Sequence, residues 1–144
     1  LGAQCVICVN TCDAFAPKCV RASMSACMTL PIYSIRNYSE LDGLLDEIMT
    51  EYVTMYSQPT KPFQVLLADT SSPTYTPYAS IDYTLPTVLV IGNEANGISL
   101  ECKQRFKHGV YTRIPMYRPW ESFYAAIATS IIVAVAADQR YAIK

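Results

Sequence analysis

Apolar residues recur along this chain with two different periods. Short β-branched and aliphatic runs at Val6–Val9, Pro31–Ile35, Phe63–Ala68 and Thr87–Ile91 read as strands, with Asn, Pro, Asp or Gly at their margins. Between them the spacing turns helical. Pro17 suits a first helical position, and Val20, Met24, Cys27 and Met28 follow it at helical intervals. Ser39 is placed to cap another helix, whose apolar stripe is Leu41, Leu44, Leu45, Ile48, Tyr52 and Met55. The most apolar run, Ala125–Ala137, predicts the last helix, and Asp69–Pro86, rich in Thr, Ser, Tyr and Pro, predicts a long loop. This alternation predicts an α/β fold with a mainly parallel sheet flanked by helices, in one domain over residues 1–144 without internal repeats.

Composition and charge narrow the partners. A chain of 144 residues is long enough for one core without staples. A net charge of −1 and a pI near 5.8 exclude a basic footprint over the whole surface, so any nucleic-acid contact must come from a local patch, a partner subunit or a further segment. Charged residues make up 16%, against about 25% in an average domain, which predicts that another chain covers part of the surface.

The six cysteines invite a metal or disulfide reading that their spacing does not support. Cys5 and Cys8 fall in or beside a strand, where residues three apart point to opposite faces. Cys12, Cys19, Cys27 and Cys102 have no paired spacing, and His108, beside Gly109 at a predicted surface turn, is the single histidine. Free thiols in an intracellular reducing compartment, cytoplasmic or mitochondrial, with no metal site, are the expectation. No secretory signal opens the sequence, and the run Ala125–Ala137 is too short to span a bilayer, so no membrane partner is expected.

The candidate chemistry lies in two segments. Thr87–Ile91 reads as a buried strand that runs into the loop Gly92-Asn93-Glu94-Ala95-Asn96-Gly97, after which Ser99 can cap a helix with Glu101 in its first turn. Downstream, Ile114-Pro115-Met116 ends a second strand in a Pro-bearing turn, and Glu121-Ser122-Phe123 leads into the last helix. Pockets built from such main chain suit a flat, hydrogen-bonding heterocycle.

These segments resemble the second and third signature motifs of the SpoU (TrmH-like) branch of the SPOUT RNA methyltransferases. Gly92, Glu94, Gly97, Ile98 and Ser99 fill every specified place of the second motif. Ile114, Pro115, Met116, Glu121 and Ser122 match the third, with Phe123 in place of Leu and Tyr124 in place of Asn. Pro17-Lys18-Cys19-Val20-Arg21-Ala22-Ser23-Met24 resembles a further family segment upstream of Leu30-Pro31-Ile32, with Ser25 where the family usually has Gly. The family's first motif, an Asn-x-Gly followed by an Arg, would precede Leu1-Gly2-Ala3, so the chain is expected to be an N-terminally incomplete domain.

The resemblance implies a deep C-terminal trefoil knot, bound S-adenosylmethionine and transfer of its methyl group to a ribose 2′-hydroxyl of tRNA or rRNA. It assigns Glu94 and Ser122 to the reacting centre, and Ile91, Gly92, Asn93, Gly97, Ile114, Met116 and Phe123 to the cofactor. Lys18, Arg21 and Arg118 are the candidate RNA contacts, joined by Arg113 beside the third motif. It also implies a homodimer, or a heterodimer with a homologous chain, paired through the small residues of the last helix. For that helix an ordinary buried packing explains the same residues, and for Glu94 so does a solvated loop carboxylate. The alternative function is a catalytically degenerate SpoU-like subunit that binds RNA or assists ribosome assembly, which the Tyr124 replacement would fit. A generic α/β nucleotide-binding module is a third reading.

Overall fold

The apolar run Val6–Val9 is strand β1, and Ile32–Ile35 is β2, one residue inside the predicted start at Pro31. A computed structural model describes residues 1–56, 63–118 and 122–142. Their contacts group into one compact unit over Gly2–Pro59 and another over Leu1 and Thr60–Lys144.

In the first unit β1 and β2 pair in parallel, Val6 opposite Ile32 through Val9 opposite Ile35. Helix α1 spans Pro17–Ala22, with Pro17 in the first turn as expected. It stops there, so the helical spacing through Met28 does not give one continuous helix. Met24 and Ser25 take the left-handed conformation, at φ +48° and +64°, and a separate 3₁₀ turn follows over Ala26–Met28. Two consecutive left-handed residues cannot continue a right-handed helix. A second correction concerns Ser39. The capping residue is Asn37, whose side chain accepts from the Ser39 amide at 3.2 Å and also hydrogen-bonds the Ser39 hydroxyl. A 3₁₀ turn over Tyr38–Glu40 then leads into helix α2, Leu41–Tyr56. The stripe on α2 is buried at Leu41 and Leu45 and half-buried at Leu44, Ile48 and Tyr52, whereas Met55 is exposed.

The second unit holds four parallel strands: β3 (Gln64–Ala68), β4 (Thr76–Pro77), β5 (Thr87–Ile91) and β6 (Val110–Arg113), in the order β4-β6-β3-β5. Neighbouring Leu66 and Leu67 on β3 are both wholly buried, which requires cover on both faces of the strand. β5, expected to be buried, is an edge strand of this sheet and is half-buried throughout. The predicted loop between β3 and β5 has structure of its own. It crosses to the far edge, pairs Thr76 with Thr112 and Pro77 with Arg113, makes a 3₁₀ turn over Tyr78–Ser80 and returns to Thr87. Its return leg buries Ile81 and Tyr83 in a cluster with Leu66 and Ile132, against which Ala68, Leu89, Ile114 and Val135 pack.

Helix α3, Leu100–Arg105, is capped as predicted by Ser99, whose side chain accepts from the Cys102 amide at 3.2 Å. The last helix, α4, spans Ala125–Tyr141 and contributes Ile132 to the core. Its internal polar residues are satisfied within the helix: Thr129 and Ser130 donate to the carbonyls of Ala125 and Ala126 at 2.7 and 2.8 Å. Near its end, Gln139 accepts from the Tyr83 amide at 2.9 Å and donates to the Ile81 carbonyl at 3.0 Å. Arg140 donates to the Tyr83 carbonyl at 2.8 Å. Three segments distant in sequence, β3, the return leg and α4, thus share one core.

Candidate active site

The sheet of the second unit decides where the two motif segments emerge. Ala68 at the end of β3 pairs with Ile91 on one side and Thr112 on the other, so three strands end on the same edge. With neighbouring strands about 4.8 Å apart, Ile91 and Thr112 stand about 10 Å apart across the β3 end. The loops that leave this edge carry Gly92–Ile98 and Ile114–Met116. Parallel α/β sheets bind ligands beyond the carboxyl ends of their strands.

Within the first loop the glycines act by conformation. A Cβ on Gly92 would lie 2.6 Å from the Gly97 carbonyl oxygen and nearer still to the Gly97 carbonyl carbon and the Ile98 amide, so no other residue fits. Gly97 has φ +66°, which favours glycine. Asn93 and Gly97 exchange both backbone bonds, at 3.0 and 2.7 Å, and the Asn93 side chain accepts from the Ala95 and Asn96 amides at 2.8 and 3.3 Å. The loop is therefore a closed, self-bonded turn. Asn93 and Gly97, expected to contact a cofactor, each donate the backbone amide to the other's carbonyl and so shape the turn. Glu94 is exposed at its tip, while Ile98 is buried and anchors it.

In the second segment Ile114 packs against the Leu66–Tyr83 core, Met116 is half-buried and Arg118 is exposed. Glu121 lies outside the described residues. Ser122 and Phe123 are exposed and precede α4, which begins at Ala125; Ser122, expected at the N-terminal end of the helix, lies two residues before its N-cap Tyr124. Tyr124 flanks the helix without a side-chain capping bond and is 75% exposed. The Arg113 guanidinium stacks on the Tyr75 ring at 3.5 Å from the centroid, which fixes its plane and leaves its N–H edge as the donor side. Lys18 and Arg21 are exposed on α1 of the first unit, where Arg21 borders an open depression of ≈ 680 Å³ with Phe15, Pro17 and Val20.

Sequence reasoning missed an ion pair at the same strand edge. Asp69, the residue after β3, meets Lys103 of α3 at 2.6 Å, and its other oxygen accepts from the Ser71 amide at 2.8 Å. Burial alone would raise the Asp69 carboxyl, but Lys103 and Ser71 outweigh it and hold the group below the usual carboxylate range. Asp69 raises Lys103 in turn. A carboxylate just past a strand was the available signal, but its partner thirty-odd residues on carries none. Among the described residues no cluster of His, Cys, Asp or Glu is arranged to hold a metal ion, and no helix is long and apolar enough to cross a membrane.

Comparison with known proteins agrees with this arrangement. The model of the SpoU rRNA Methylase family matches residues 1–134. A tRNA (guanosine(18)-2′-O)-methyltransferase of Aquifex aeolicus is 41% identical over 63 residues, which cover 44% of this chain and 29% of that protein. The SpoU methyltransferase AviRb of Streptomyces viridochromogenes, also solved with AdoMet, superposes with a TM-score of 0.80 at 26% identity, over 99% of this chain and 51% of the other. An AdoMet-bound rRNA methyltransferase of Sinorhizobium meliloti superposes at 0.69 with 28% identity, over 95% and 46% of the two chains. The chain thus spans about half the length of these solved relatives. With both motif loops on one strand edge and a family match running through both units, the chain belongs to the SpoU rRNA methylase family.

Proposed function

We propose that this chain is the methyl-transferring domain of an S-adenosylmethionine-dependent RNA 2′-O-ribose methyltransferase acting on tRNA or rRNA, and that residues 1–144 form one domain of it. The observation that carries the reading is the Gly92–Ser99 turn, where the family's glycine stands in a place that a Cβ would fill. That close approach packs the turn's own backbone against the strand end, and a main-chain surface of this kind would suit an adenosine group. Main-chain groups of Ile91, Gly92, Ile114, Met116 and Phe123 would hold it, with Asn93 and Gly97 keeping the turn in shape. Bound there, S-adenosylmethionine supplies an electrophilic methyl group.

The protein's remaining tasks are positioning and charge stabilisation. A ribose hydroxyl is a weak nucleophile, so its proton must be drawn off or its alkoxide favoured. Glu94, exposed at the tip of a rigid turn, would orient the groups at the reacting centre. Ser122, also exposed, would hydrogen-bond the ribose. Lys18, Arg21 and Arg118 would contact phosphate, a local answer to the net charge of −1.

The family reading extends to a trefoil knot formed by α4 and to pairing of two chains through that helix. Ile127, 46% exposed on α4, and Phe123, 40% exposed just before it, supply apolar surface for such a pair. Six free thiols support an intracellular reducing compartment.

The test is calorimetric titration of S-adenosylmethionine together with transfer of its labelled methyl group to total tRNA and rRNA. Saturable binding is expected, lost in Gly92→Ala and kept in Glu94→Gln. Methyl transfer is expected to fall at least tenfold in Glu94→Gln. A folded wild-type protein that binds no S-adenosylmethionine would overturn the reading.

A further inference from the structure

The segment that leaves β3 emerges between the two motif segments, because β3 lies between β5 and β6 in the sheet. Its first residues turn at once. The Asp69 amide still donates to the Thr112 carbonyl at the end of β6, at 3.2 Å, while the Asp69 carboxylate accepts from the Ser71 amide at 2.8 Å. The carboxylate is thus held by its own turn. Its side chain is 7% exposed, so an ionised group there needs a counter-charge.

That counter-charge comes from beyond the Gly92–Ser99 turn. Helix α3 follows the turn directly and has six residues, too few to be stable by its own hydrogen bonds. Its place is set by anchors. Ile98 and Cys102 are buried, Ser99 caps the first turn, and the Lys103 amide donates to the Ser99 carbonyl at 3.0 Å. The Lys103 ammonium then reaches Oδ2 of Asp69 at 2.6 Å and donates to the Ser71 hydroxyl at 3.3 Å. Turn, cap, helix and β3 exit form one continuous line of contacts. The turn is tied to β5 at its start and, through α3, to the β3 exit at its end.

We infer that Asp69 and Lys103 are positioning residues for the cofactor: the pair fixes the end of the Gly92–Ser99 turn against the β3 exit, so that the main chain proposed to hold adenosine stands in its binding geometry before the ligand arrives. The inference rests on the proposed S-adenosylmethionine site at this edge. In this role neither side chain touches the cofactor or the reacting atoms. Loss of the pair leaves the bonds within the turn intact but frees α3 to shift, and ligand binding must then restore the geometry first. Cofactor affinity falls, while turnover at saturating cofactor does not.

The experiment measures S-adenosylmethionine affinity by calorimetry, well below the melting temperature of each variant, in the wild type, Asp69→Asn, Lys103→Met, the double variant and Lys103→Arg. Asn keeps an acceptor for the Ser71 amide and Met keeps the apolar stem, so each removes mainly the charge. Binding about tenfold weaker is expected in each single variant, with no further loss in the double variant and affinity within about twofold of the wild type in Lys103→Arg. The KM for S-adenosylmethionine should rise by the same factor with kcat unchanged, a split that a general loss of stability would not produce. Wild-type affinity in both single variants, or losses that multiply in the double variant, would overturn the inference and leave the cofactor site standing. A folded wild type that binds no S-adenosylmethionine would overturn the site and the inference together.

Discussion

Tyr83 and Gly92 represent opposite relations between a residue and its surroundings. Gly92 is required by its own backbone neighbours, and a glycine closing an apolar run already points to a close approach. Tyr83 is 1% exposed, and its hydroxyl has no hydrogen-bond partner among the described residues. Burial, and secondarily Tyr78, push its ionisation up to about 12. Tyr83→Phe should therefore leave stability unchanged or raise it by about 1 kcal/mol, read by urea unfolding at pH 7. A clear loss of stability would mean that the hydroxyl has a partner, such as a buried water. The pH dependence has a definite sign. A tyrosine raised above its unfolded value of about 10 contributes stability fully present below pH 10, lost as pH rises through 12, and Tyr83→Phe should remove that decline. Nothing in the local sequence announces this hydroxyl, because its core cluster draws on three segments distant in sequence.

Between elements, the Asp69–Lys103 pair ties the end of β3 to α3 at the edge where the motif loops leave. Asp69 is held below the usual carboxylate range, so its contribution is present above about pH 4 and disappears as pH falls through the lowered folded value. Asp69→Asn should accordingly lower the melting temperature at pH 7, and the gap to the wild type should close toward pH 3. Lys103→Ala should cost about 1–3 kcal/mol at neutral pH. Strands were legible to within a residue at β1, β2 and β3, because short β-branched and aliphatic runs leave few other solutions. The helix predicted through Met28 was not. Apolar spacing is blind to the two left-handed residues that end α1 early, and Ser25 stands where the family usually has Gly. Strand β4 was invisible for a different reason: Thr76–Pro77 is too short for a pattern and exists through its pairing with β6.

For the whole molecule, the terminal helix has a core side, and the proposed pairing of two chains would use a second one. One side enters the core through Ile132 and is stitched to the return leg by Gln139 and Arg140. Ile127, elsewhere on the helix, is 46% exposed. If two chains pair through α4, Ile127→Asp should shift the protein toward monomer in size-exclusion chromatography with light scattering, with the far-UV circular dichroism unchanged. An unaltered dimer would direct attention away from α4.

The sequence by itself determined the identity of the candidate site and the class of fold. The motif glycines and the Pro-bearing segment are local requirements of backbone conformation, Glu94 stands in the motif by its spacing from them, and hydrophobic periods of two and 3.6 residues are local as well. Only the tertiary structure decided which strands stand side by side, that β3 is buried on both faces while β5 is an edge, and that Arg113 stacks on Tyr75. It also brought Asp69 to Lys103. The physical reason is that strand order and side-chain pairing are settled by contacts between distant segments, each satisfied only once the others are in place.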